Sequence, residues 1–301
     1  MNNNLYWNVY KSLEKEFVAL ADVIHIDDKQ LDIYSMKIAD LLIRTSVEIE
    51  SISKELYFRE GGTKNNDNDL YFDTDCLNLL ESKWNLSKKV VMISSPILYF
   101  EKNDNIYLTP LHKAYKRGSS SSDWKKAYQE VKHNRVRSLS MGNIKHFIRS
   151  LAALFILNIY YQDQSYKLGT NSSGNMFDAS IGSSVFSIQL HPFPGINASG
   201  IYKKNEDYDK CIYVIQATDE TKAKAQDMIE LINSKIMENA IAKINHENSC
   251  SKESFPIEKV IEDFKKYQTE CIPSVVQENK TMLINAFSSI EYEVVLNKNQ
   301  Y

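Results

Sequence analysis

Residues 150–162, SLAALFILNIYYQ, hold thirteen consecutive positions without a charge. The stripe Ile144, Phe147, Ile148, Leu151 and Phe155 leads into this run at helical spacing, and from Leu154 onward the helix is apolar on every side. A helix apolar all round is central and buried. The run is too short to cross a bilayer, which takes roughly 20 residues. Ser140 reads as the N-cap of this helix, with Gly142 and Asn143 in its first turn.

The other elements are expected to pack around it. Leu5, Val9, Leu13 and Phe17 recur every four residues and mark a first amphipathic helix. Ser35 is a good N-cap for a helix over about 35–59, with the core stripe Ile38, Leu42, Thr45, Ile49, Ile52 and Leu56. A loop follows Gly61-Gly62. Leu77, Leu79, Leu80 and Trp84 indicate another helix, and residues 90–100 a short strand or buried extended segment. The RGSSSSD loop ends in Asp123, a candidate N-cap, and Trp124, Tyr128, Val131 and Arg135 share one face of the next helix. Beyond about residue 163, SSVFSIQLH and KCIYVIQAT read as strands. Helices are expected to about 245, over about 256–270 and over about 273–288, with a last strand at EYEVVLN. The fold class is therefore mainly α. Residues 1–163 form a helical bundle with its N-terminal helix, and 164–301 a smaller α+β region, with the division near 163–180.

Composition supports a globular chain. Apolar residues make up 43% and charged residues 25%, enough to bury a core without disulfides or metals. The N-terminus lacks a secretory pattern. No two of Cys76, Cys211, Cys250 and Cys271 lie within ten residues, and no H-x-x-x-H pair exists. The cysteines read as reduced thiols of a cytoplasmic protein, and no metal or other cofactor is expected.

Charge is unevenly spread. Residues 111–150 hold ten Lys/Arg against two acids, a net of +8, which leaves −11 on the rest of a chain whose total is −3. Such asymmetry points to an anionic partner, or to an acidic surface that covers the segment. Its centre is WKKAYQEVKHNRVRSL. Histidine is the usual proton-transfer side chain near neutral pH, and arginine grips phosphate in a planar, bidentate way. Together they suit RNA cleavage without a metal: one group takes the proton of a 2′-hydroxyl, and a fixed cation stabilises the charge that develops on the phosphate. The plainer reading is that basic residues near a helix C-terminus stabilise it. Glu48 flanks the stripe of its helix, about 80° from the centre, and Glu50 lies farther round; either suits a structural ion pair as well as a site. Trp124 and Tyr128 fit packing before base stacking.

The order YS-x-KIADLLIRTSVEIESISKEL, WKKAYQEVKHNR and NIKHFIRSLAALFILNIYYQ resembles the HEPN superfamily, closest to a bacterial branch with a Lys-His-x-Arg signature. The resemblance covers roughly 34–162, and more weakly the strands after it. It implies an up-and-down helical bundle, often a homodimer with a composite cleft. It also implies metal-independent endoribonuclease activity in phage defence or toxin–antitoxin systems, with an antitoxin or sensor protein as partner. By this analogy His133 is the acid/base, Arg135 binds phosphate and Lys132 assists. Glu48 or Glu50 is the polar partner, and Arg137, Tyr128 and Glu50 are the candidate substrate contacts. The chain departs from the family in one respect. The usual motif runs from Arg to His with four to six residues between, whereas here His133 precedes Arg135. HEPN-like domains without the motif act as binding or dimerisation modules. Three readings follow: an RNA-cleaving effector, a non-catalytic bundle that binds RNA, a nucleotide or a protein through its basic 111–150 face, and an adaptor whose basic segment packs on its own acidic C-terminal region.

Overall fold

Every residue from Ser150 to Tyr160 is buried, so the uncharged run does lie in the core. The computed structural model describes residues 5–64, 70–192, 206–250 and 257–299. In chain order the elements are α1 (Leu5–Ala21), β1 (Ile26–Asp27), α2 (Met36–Arg59), α3 (Asn78–Trp84), β2 (Val91–Ile93), β3 (Leu98–Tyr99), α4 (Asn103–Ile106), β4 (Tyr107–Leu108), α5 (Asp123–Ser138), α6 (Ile144–Gln162), β5 (Tyr166–Gly169), β6 (Phe186–Ile188), β7 (Leu190–His191), β8 (Tyr213–Ala217), α7 (Asp219–Cys250), α8 (Ile257–Glu278), α9 (Lys280–Ser288) and β9 (Tyr292–Leu296). The described chain is mainly helical with a few small sheets. No helix among the described residues is long and apolar enough to cross a membrane.

The chain divides into two units, residues 1–166, 173–215 and 294–301 in the first, and 167–172 and 216–293 in the second. The expected division near 163–180 assigned β6, β7 and the start of β8 to the C-terminal part. They belong instead to the helical unit, because apolar side chains of this stretch join its core. Phe186 stacks on Phe155 with ring centroids 5.6 Å apart.

In the first unit α6 is packed by α1, α2 and α5. Phe147 meets Phe17 edge-on at 5.5 Å, Phe155 stacks on Tyr10 at 5.4 Å, and Tyr160 stacks on Trp84 at 4.7 Å. The six stripe residues of α2 are all fully buried, and the Ser35 side chain accepts from the Ile38 N–H at 3.2 Å, as its position predicts. The stripe of α1 is rotated from expectation. Tyr10, Leu13, Glu14 and Phe17 are buried while Leu5 is 64% exposed. The cause is polar as well as aromatic: the Tyr10 hydroxyl donates to Glu14 at 2.8 Å, and Ser183 hydrogen-bonds both.

The cap of α6 also differs. Ser140 sits in a short 3-10 turn, and Asn143 is the N-cap, its side chain accepting from the His146 N–H at 3.0 Å. The Ile144 and Lys145 N–H groups donate to Ile33 and Leu31 carbonyls. Gly142 is required here because a Cβ at this position would stand 2.5 Å from that of Ala39 on α2. Residues 90–100 supply β2 and β3. The former lies antiparallel between β4 and β6, and the latter pairs parallel with β1. The strands β7 and β8 do pair, in parallel, with Leu190 opposite Tyr213. The loop expected between them, residues 192–200, lies almost wholly outside the described residues.

In the second unit α7 and α8 pack along each other. The break expected after residue 270 does not occur: Pro273 lies inside α8, which continues to Glu278. Buried Cys271 and Val275 flank the proline, so packing on α7 holds one helix through the lost backbone bond. The final strand is present as β9, and Gln216 donates to Glu293 at 2.9 Å beside it.

Candidate functional site

Helix α5 carries the centre of the basic segment. Its N-cap is Ser122 rather than Asp123, which occupies the first turn, accepts from the Trp124 N–H at 2.8 Å and pairs with Arg149. Trp124, Ala127, Tyr128 and Val131 form one buried face at offsets 0, 3, 4 and 7. The Trp124 indole donates to the Pro110 carbonyl at 2.8 Å. Both aromatic rings are therefore core. With Tyr128 fully buried, its part in any site runs through its hydroxyl and Lys132, not through contact with a base.

Arg135 does not continue that face. Asn134 leaves helical geometry at φ −144°, ψ 46° and kinks the helix. Beyond the kink Arg135 turns to Asp40 on α2, 3.1 Å away, while Val136 and Arg137 are exposed. Ser138 folds back to donate to Glu130 at 3.1 Å. His133, the last residue before the kink, is exposed and makes no side-chain hydrogen bond or ion pair with the described residues.

The second helix contributes Glu50 to this end of α5. Lys132 donates to the Tyr128 hydroxyl at 3.1 Å and lies over its ring at 5.1 Å. That hydrogen bond, aided by Glu50, raises the lysine pKa. Burial raises the Tyr128 pKa, with Glu50 acting the same way. Glu48 is separated from Glu50 by about 200° around α2. It is half-buried on the side of α1, where it raises the Tyr6 pKa, and burial raises its own. Of the anticipated residues, the fold thus brings together Glu50, Tyr128 and Lys132, with His133 and Arg137 exposed just beyond. It ties Arg135 to a carboxylate and places Glu48 elsewhere.

Other cations of the basic segment are used internally. Lys125 is 4% exposed and donates to Asp73 and to the Ala114 carbonyl, each at 2.9 Å, and also to the Lys116 carbonyl. Arg117 pairs with the same carboxylate at 2.9 Å and covers the Tyr71 ring at 3.6 Å. Burial opposes ionisation of Asp73, but Lys125, the Thr74 N–H and Arg117 outweigh it and lower its pKa. The carboxylates that neutralise this segment, Asp40, Asp73 and Asp123, all belong to the helical unit itself. The adaptor reading looked for them in the C-terminal region.

Lys125, Asp73 and Arg117 floor a cleft of about 660 Å³ along α5, lined among others by Glu50, Lys54, Tyr71, Ser121, Lys126 and Gln129. His133 follows Lys126, Gln129 and Glu130 on the same helix face at i+7, i+4 and i+3. Sequence reading missed the cleft because its parts come from three distant segments. The one signal in the chain was the Tyr71-Phe72-Asp73 run, aromatic and acidic, opposite a basic loop. Cys76 and Cys211 are buried thiols pushed up to about 12 by burial, so neither is a nucleophile. No group of three or more His, Cys, Asp or Glu among the described residues is placed to hold a metal ion.

No family model matches the chain, and no curated protein or solved structure matches it either.

Proposed function

We propose that this protein binds RNA through the kinked end of α5. The observation that carries this reading is the division of the basic segment. Lys125, Arg117 and Arg149 are consumed by buried or half-buried carboxylates, whereas His133 and Arg137, which follow Lys132 in α5, are exposed and have no acidic partner among the described residues. Exposed cations at a helix end are suited to phosphates, and their contacts release counterions. The test is binding of single-stranded RNA across a salt series. The wild type is expected to weaken steeply with salt, and Arg137→Gln and Lys132→Gln each to flatten the log–log slope by about 0.7. Salt-independent binding, or variants that bind as the wild type does, would refute it.

A second reading adds metal-independent cleavage with His133 as acid/base and Arg135 on the phosphate. It is favoured by the free, exposed imidazole next to Lys132 on the face that continues the cleft. The salt link of Arg135 to Asp40 is exposed on both sides, so it yields readily to a phosphate. RNA fragments formed in the presence of a chelator, lost in His133→Ala while binding persists, would establish it. Unbroken RNA together with full binding leaves the binding module as the function.

A further inference from the structure

We propose that the cleft at the N-terminal half of α5 is a binding site for a nucleoside phosphate, a site separate from the RNA-binding end of the helix and argued independently of it. The volume of about 660 Å³ falls in the range of small-molecule pockets. Two cations line it uncommitted. Lys54 and Lys126 have no ion-pair partner among the described residues. The carboxylates of the lining are engaged elsewhere, Asp73 with Lys125 and Arg117, Glu50 with the Tyr128–Lys132 pair and Glu130 with Ser138.

Lys126 stands in the first turn of α5, where a cation meets the positive end of the helix. The acid of that turn, Asp123, is occupied by Arg149. An anion bound there offsets both the charge of the lysine and the helix end. A polar atom also waits at this point. Ser121 lines the cleft, is 6% exposed, and its hydroxyl has no hydrogen-bond partner among the described residues. Leaving a buried hydroxyl unpaired is costly, and a phosphate oxygen satisfies it.

Part of the lining is aromatic. Phe72 and Tyr71 line the cleft, and the Arg117 guanidinium already stacked over Tyr71 adds a further flat surface on which a heterocyclic base stacks. The buried Lys125–Asp73 pair holds the floor in place whether or not a ligand is present. A simple anion has no use for the aromatic lining, and an uncharged heterocycle has none for the lysines. The ligand that uses both is a base carrying phosphate, either a free nucleotide or the terminal nucleotide of an RNA strand.

The experiment is titration calorimetry of the full chain with the four nucleoside monophosphates and their triphosphates, alongside adenosine and inorganic phosphate. At least one nucleotide is expected to bind more tightly than either fragment. The Lys54→Ala/Lys126→Ala double variant is expected to lose at least about tenfold in affinity, which a factor of this size in Kd makes measurable. Ser121→Ala should lose less, and both variants should keep the wild-type circular dichroism and Tm. Absence of any binding tighter than about 1 mM overturns the proposal, as does unchanged affinity in the double variant or inorganic phosphate binding as well as the best nucleotide. Competition by a 5′-phosphorylated RNA oligomer, but not by its unphosphorylated form, assigns the site to an RNA end; its absence assigns it to a free nucleotide. Arg137→Gln, which lies outside the cleft lining, should leave nucleotide binding intact, so failure of the RNA reading and failure of this one are separable.

Discussion

Replacing Asp73 by Asn tests the energetic logic of the cleft floor. The carboxylate is shared by Lys125, whose ammonium is almost wholly out of water, and by Arg117, whose side chain is 46% exposed. Removing the negative charge leaves the arginine free to turn to solvent, so little of the loss comes from it. The lysine has no such exit: its other contacts are two backbone carbonyls. Breaking a buried pair from one side costs about 3–5 kcal/mol, because the remaining charge is buried and uncompensated. For a unit of this size that corresponds to a Tm lower by roughly 6–20 °C. Thermal and urea unfolding of the wild type and Asp73→Asn measure it. The double variant Asp73→Asn/Lys125→Met is the control, since replacing both charges with matched volume is close to neutral. A loss under about 1 kcal/mol in the single variant, or no recovery in the double, would show that Lys125 is not the buried, dependent charge described above.

Acid should unfold the helical unit through two carboxyls. For both Asp73 and Glu14 burial opposes ionisation, but hydrogen bonds, from Lys125 and from Lys11, Ser183 and Tyr10 respectively, prevail and depress the folded pKa below the ordinary 3.8 and 4.5. Their contribution to stability is therefore complete above those values and is lost as pH falls through the lower folded ones, so the urea midpoint should hold from neutrality to mild acid and drop below about pH 4. Asp73→Asn should flatten that acid limb; an equally steep limb in the variant would place the titration elsewhere. Asn143→Ala should cost about 1 kcal/mol as loss of the α6 cap, while Ser140→Ala should stay within about 0.5 kcal/mol; the reverse order would restore Ser140 as the cap.

The helical bundle was legible from local pattern because a buried stripe must repeat with the helix period. That is why Ile38 through Leu56 and the run to Tyr160 are buried as anticipated. Where polar groups decide, pattern fell short. The Tyr10–Glu14–Ser183 bonds rotate α1, and Asn143 displaces Ser140 because the chain at Leu31–Ile33 meets the first turn of α6 there. The cluster of Lys132, His133, Arg135 and Arg137 was visible as charge, but charge along a chain does not say which cations are already neutralised. Asp40, Asp73 and Asp123 make that selection from positions as much as 95 residues away in sequence. The cleft that joins Lys54, Tyr71 and Lys126 likewise exists only after α2, the segment before α3 and α5 are packed together. By itself the sequence determined which residues had to leave water, since burial of apolar area is set by local composition and period. Tertiary structure alone decided which charges remain available to a ligand, because pairing depends on distances that only packing creates.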